Sequence, residues 1–271
     1  MRPLLPALLL GALAGCAAPS VKVVFSGTDA SGFTAGAPFA PRPATRDIAY
    51  LSGAEVLLVN RAKARLDHLL LDDASGMVDL TFRSADELLV LNQGGVDVYF
   101  AGKLIRGWPL DPSADGLIAA GRDSVWVATN REGQGRVLAL DPASQEFSLI
   151  AEFDKPVKAL AAGPQGCYLA FDDSVFRLVL AKDRRSADLV FVLALPGETI
   201  RSIAPDLAHD ILYVATPTDT WLYAKGRVRP FHLLGGVIRY DGETLFISSE
   251  TTGSLIGIEQ AHRVAQDLAG D

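Results

Sequence analysis

The chain has 271 residues, 49% hydrophobic and 21% charged, and its 25 Lys and Arg against 32 Asp and Glu leave a net charge of −7. That length and apolar content suffice for a large core, whereas the acidic balance argues against nucleic acid as a partner, since phosphate binding needs a basic surface. With two cysteines in all, no disulfide framework can form.

Residues 1–15 read as an export signal. Arg2 gives a small positive start, Leu4 to Leu13 form an apolar run broken by Pro6 and Gly11, and the small residues Ala14 and Gly15 precede Cys16. The run falls short of the roughly 20 apolar residues a membrane-spanning helix needs. Leu13-Ala14-Gly15-Cys16 resembles the bacterial lipobox, which is cut before its cysteine. The resemblance implies acyl chains on Cys16 and a lipid-anchored chain in the bacterial envelope. Ala17, where the family's inner-membrane retention signal has aspartate, points to the outer membrane, facing the periplasm. Cys167 is then the one remaining thiol, and its place at the head of the run CYLAF makes it a buried small hydrophobe.

Residues 16–45 carry the anchor and a Gly-, Ala-, Ser-, Thr- and Pro-rich tether that cannot bury enough surface to fold alone. One stretch within it, Val21 to Phe25, has strand composition. From residue 46 one unit recurs: an apolar stretch, a tight polar turn, a second β-rich stretch, then a polar residue. Its six copies are 47–60, 78–92, 116–129, 157–172, 200–216 and 236–249. Further strand-like segments, such as VDVYFAG, SVFRLVLA and LVFVLAL, follow most copies. Four strands in a repeat of about 40 residues is the pattern of a β-propeller blade. A single four-stranded sheet cannot bury both of its apolar faces, and stacking blades around an axis does so. The expected fold is therefore an all-β, six-bladed propeller over residues 46–260, with five or seven blades as alternatives, followed by a short helical or frayed tail at 261–271. The sixth copy lacks a fourth strand, and Val21–Phe25 is expected to supply it and close the ring.

Sites with chemistry are few. The four histidines, His68, His209, His232 and His262, form no metal-binding spacing. His209, between Asp206 and Asp210, reads as part of a solvated turn. Asp72–Asp73 and Asp172–Asp173 are neighbours that would point to opposite faces of a strand, and so are turn formers. No G-x-S-x-G or phosphate-binding glycine loop occurs. No catalytic residue, metal or cofactor is thus assigned. The residues closing each copy, Asn60, Asn92, Asn130 (after Thr129), Asp172, Thr216 and Ser249, would share one face of the disc, as a ligand-binding ring or as turn-starting residues. Asp47, Asp79, Lys158, Arg201 and Arg239 are polar positions expected on the innermost strands, where opposite signs could neutralise one another.

The copies resemble the degenerate repeats of NHL, YVTN and WD40-like propellers, with ILYVAT in the fifth the nearest local match and no full W-D signature. A propeller on an outer-membrane anchor is similar to the scaffold lipoproteins of envelope assembly machines, which implies a protein-interaction role with envelope partners. The alternatives are a metal-dependent hydrolase resembling the six-bladed sugar-lactonases, with Asn60, Asn92 and Asp172 as positions to test for its ion, or a small-molecule sensor.

Overall fold

The computed structural model describes residues 21–26, 34–45, 47–52, 55–60, 65–69, 76–110, 115–121, 124–141, 143–181 and 186–270. The export signal, Cys16 and Asp72–Asp73 lie outside them.

Strand β1 (Val21–Ser26) comes first. Blade 1 is β2 (Phe39–Pro41), β3 (Asp47–Ser52), β4 (Glu55–Asn60) and β5 (Arg65–Leu69). Blade 2 is β6 (Met77–Phe82), β7 (Glu87–Asn92), β8 (Gly95–Phe100) and β9 (Lys103–Pro109). Blade 3 is β10 (Asp115–Gly121), β11 (Ser124–Arg131), β12 (Gln134–Leu140) and β13 (Phe147–Phe153). Blade 4 is β14 (Ala159–Gly163), β15 (Gly166–Phe171), β16 (Ser174–Leu180) and β17 (Ala187–Ala194). Blade 5 is β18 (Ser202–Asp206), β19 (Ile211–Ala215), β20 (Thr220–Ala224) and β21 (Arg227–His232). Blade 6 holds β22 (Val237–Tyr240), β23 (Leu245–Ser249) and β24 (Ser254–Ile258), and helix α1 (Ala261–Gly270) ends the chain. Every sheet is an antiparallel meander, and each innermost strand neighbours the next, β22 returning to β2. The protein is a six-bladed β-propeller.

Strand β1 is the missing fourth strand of blade 6. It pairs antiparallel with β24, Val21 opposite Ile258 and Ser26 opposite Ser254. The ring is thus closed by the chain's two ends, as expected from the composition of Val21–Phe25.

The alternation of side chains along each strand explains the stacking. In blade 2, Leu88 and Val90 pack with Ala49, Leu51 and Val56 of blade 1, while Leu89 and Leu91 pack with Ile118, Val125 and Val127 of blade 3. The same division repeats between blades 3 and 4 around Trp126 and Leu169, and between blades 4 and 5 around Val175 and Leu212. Blades 5 and 6 meet at Tyr213 and Ile247, with Ala261 and Ala265 of α1 in the same cluster. Blades 6 and 1 meet at Phe246 and Tyr50. Cys167 is fully buried in the blade 3–4 core, and burial pushes its thiol far up.

Blade 1 corrects the sequence expectation by one strand. Segment 47–60 supplies its second and third strands, and its innermost strand is the three-residue β2, inside the stretch assigned to the tether. The propeller therefore begins before residue 46. Two consequences follow from strand direction. Asp47 starts a second strand, not an innermost one. Asn60 ends a third strand and lies on the opposite face of the disc from Asn92, Asn130, Asp172, Thr216 and Ser249.

Candidate functional site at the propeller axis

The two faces of the disc differ. On one, here the turn face, innermost strands turn into second strands; on the other, the crossover face, the chain passes between blades.

At the axis two residues from distant parts of the chain meet. Asp79 of β6 is 2% exposed, and Arg239 of β22 reaches it, its Nη2 donating to Oδ1 at 3.3 Å. The same oxygen accepts the Leu80 amide at 2.9 Å, and Oδ2 accepts the Ile118 amide of blade 3 at 3.0 Å. Nη1 of Arg239 donates to its neighbour's carbonyl, Ile238 O, at 3.0 Å and to Ser202 Oγ of blade 5 at 3.4 Å. One ion pair thus links four blades. Burial pushes the Asp79 carboxyl up, while Arg239 and the two amides pull it back. The neutralisation expected among innermost-strand charges is realised here between Asp79 and Arg239.

Above this pair lies a cavity of ≈ 280 Å³ on the turn face, to which all six innermost strands contribute. Its wall is mostly small and apolar: Ala40, Ala119, Ala120, Ala161, Ala162 and Ala204, with Ile118, Leu160 and Ile203. Arg239 lines it, its side chain 21% exposed, and Thr81, Tyr240 and Asp241 add polar groups. The alanines create the space, because a larger residue at the end of any innermost strand would fill it.

The proposed polar ring is spread over both faces, and most of its groups have local partners. The Asn60 amide donates to Asp47 at 2.6 Å. Asn92 donates to Asp97 at 2.6 Å and accepts from the Gly94 amide at 2.8 Å. Asn130 clasps the backbone of Val157, donating to its carbonyl at 2.9 Å and accepting from its amide at 2.8 Å. Thr216 Oγ1 accepts from the Asp219 amide at 3.0 Å. Asp172 sits at φ 38° and lies 3.9 Å from Lys155, and Ser249 Oγ is buried. Arg201, expected on an innermost strand, lies just before β18 and pairs with Glu250 at 3.6 Å.

A divalent cation of the sugar-lactonase kind does not fit these residues. The Asn92 amide oxygen is occupied by the Gly94 amide and that of Asn130 by the Val157 amide, and Asn60 is on the other face. Among the described residues, the buried carboxylate at the axis, Asp79, already holds a guanidinium where a cation would sit.

A second grouping brings together residues that the sequence kept apart. At the turn face, His209 Nδ1 lies 2.8 Å from Asp206 Oδ2, and the His209 ring stacks on that of His262, from the start of α1, at 4.4 Å between centroids and 3° between planes. The spacing Asp206–His209 was visible in the sequence; no signal tied His262 to it.

No family model and no curated protein matches the sequence. Among solved structures, the chain is similar to a protein provisionally assigned as a gluconolactonase, with a TM-score of 0.71 at 12% identity over 90% of this chain and 93% of that one. It is similar to a gluconolactonase from Xanthomonas campestris, with a TM-score of 0.66 at 16% identity over 88% and 89%. It is also similar to a calcium-binding regucalcin from Agrobacterium tumefaciens, with a TM-score of 0.69 at 12% identity over 89% and 93%. At these identities the likeness is one of fold. The expected protein-interaction scaffold is corrected on this point: these three propellers are described as gluconolactonases and a calcium-binding regucalcin, which favours the hydrolase alternative over an envelope scaffold.

Proposed function

We propose that this propeller takes a small molecule at its axis, of the size and kind of a lactone or the hydroxy acid formed by opening one. The observation that carries this is the turn-face cavity built by all six blades, with an arginine in an apolar wall. At ≈ 280 Å³ it lies just below the usual range of small-molecule sites, about 300–1,000 Å³, so it suits a single small ring and excludes a peptide segment. Among the described residues of the cavity wall the guanidinium of Arg239 is the one cation, and it would receive the ligand's carbonyl or carboxylate oxygen, while the alanine methyls cover its apolar side. Two of the fold's neighbours described as gluconolactonases support a sugar-acid class of ligand. They also favour lactone hydrolysis as a second reading, although the axial residues do not offer that chemistry's oxygen ligands for an ion.

The signal grammar of residues 1–15 and the cysteine at position 16 support an envelope location, lipid-anchored through Cys16 at the outer membrane and facing the periplasm. Metabolic labelling with a radioactive fatty acid, lost in Cys16→Ser, tests that part.

The test of the axial site is a calorimetric screen of γ- and δ-lactones and their open hydroxy acids against the full chain, with acid release followed in parallel. Binding by one class, abolished in Ala162→Trp and weakened in Arg239→Lys, supports the proposal. Equal binding by wild type and Ala162→Trp would overturn it. Acid release above the spontaneous rate decides for the hydrolase.

A further inference from the structure

We infer that Asp206, His209 and His262 form a binding site for a late first-row divalent cation, of the zinc class, separate from the axial cavity. One ligand atom from each of the three lies within 4.8 Å of the others, from a carboxylate and two imidazoles. That is the donor set of zinc, cobalt, nickel and copper rather than of calcium or magnesium, which prefer oxygen. Asp206 ends β18, His209 sits in the following turn, and His262 is the second residue of α1, so the site would bridge blade 5 and the C-terminal helix.

Two observations support a cation site. Asp206 is 2% exposed, and its carboxylate accepts the Ala208 amide at 3.2 Å and faces His209, but among the described residues no lysine or arginine pairs with it. A buried carboxylate without a cation is costly. His262 Nδ1 is buried and has no hydrogen-bond partner. A dication would neutralise Asp206 while taking one nitrogen from each imidazole. Three protein ligands leave further positions to water.

The test uses the full chain stripped with chelator and then titrated with zinc chloride and cobalt chloride. Calorimetry should show one equivalent bound, cobalt should give a tetrahedral or five-coordinate visible band, and the melting temperature should rise to a plateau at one equivalent. His262→Phe keeps a stacking ring but removes the nitrogen, and His209→Gln removes the other; each should weaken zinc binding by about 100-fold or more, with the far-ultraviolet circular dichroism unchanged. No binding of either metal by the wild type, or binding by both variants equal to it, overturns the inference. Anomalous scattering at the zinc edge from a wild-type crystal gives an independent answer if a variant misfolds. A peak between the three side chains supports the site, and zinc located elsewhere alone refutes it.

Discussion

Replacing Arg239 with Met would remove the cation from Asp79 while keeping much of the side chain's volume. Asp79 is 2% exposed, and its other partners are two backbone amides, those of Leu80 and Ile118. Breaking a buried pair by removing one member typically costs about 3–5 kcal/mol, because the remaining charge is left uncompensated. Arg239 also bonds Ser202 and Ile238 O, but its side chain keeps some contact with water, so about 3 kcal/mol is the working figure. The sign of the pH dependence follows. Burial already raises Asp79 above its ordinary value, and Arg239 is the largest influence opposing that rise. Without Arg239 the folded-state value climbs further. The native variant then holds a proton that the unfolded chain has lost, so its stability falls as pH rises from the ordinary carboxylate range, near about 4. The deficit against wild type should be small near pH 5 and full near pH 8. Urea unfolding of both proteins across that range measures it, and Asp79→Asn/Arg239→Met should recover part of the loss. A variant within about 0.5 kcal/mol of wild type at pH 8, or a deficit that grows on acidification, would refute the axial role of this pair.

Deleting residues 1–26 removes β1 and leaves the outer edge of β24 unpaired, so the midpoint of urea unfolding should fall and blade 6 amides should lose hydrogen-exchange protection first; protection unchanged in β24 would refute the closure. Leu169→Ala, fully buried between blades 3 and 4, should cost about 2–5 kcal/mol in the same unfolding assay, whereas a loss under 0.5 kcal/mol would contradict the interblade core. The Cys167 thiol, buried and pushed far above the working range, should resist a thiol reagent at pH 8 until the chain is unfolded; stoichiometric labelling of the native protein would show that it is accessible.

What the sequence made visible and what it hid have physical causes. Five of the six blades are legible because each carries two long apolar strands around a tight turn, and the closing strand is legible because four β-forming residues, Val21, Val23, Val24 and Phe25, stand out in the tether. Blade 1 was misplaced by one strand because its innermost strand, Phe39–Pro41, is three residues long and lies among prolines, too short to show any period. That slip carried Asn60 to the wrong face. The charges at Asp79 and Arg239 were recognisable as candidates for neutralisation, but their pairing depends on closure of the ring, which joins blades far apart in the chain. The axial cavity left no mark, since it is made by alanines, residues with no chemistry of their own. The Asp206–His209–His262 grouping was hidden for the same reason as the ion pair: its third member comes from the C-terminal helix, far along the chain from the other two.

The most direct measurement is a methyl spectrum of the chain labelled with carbon-13 at alanine, recorded while lactones and hydroxy acids are added in turn. Binding at the axis predicts that one class shifts the signals of Ala40, Ala120, Ala162 and Ala204 together, methyls contributed by four different blades to one cavity. No shift with any compound, or shifts confined to alanines outside that cavity, would contradict an axial small-molecule site.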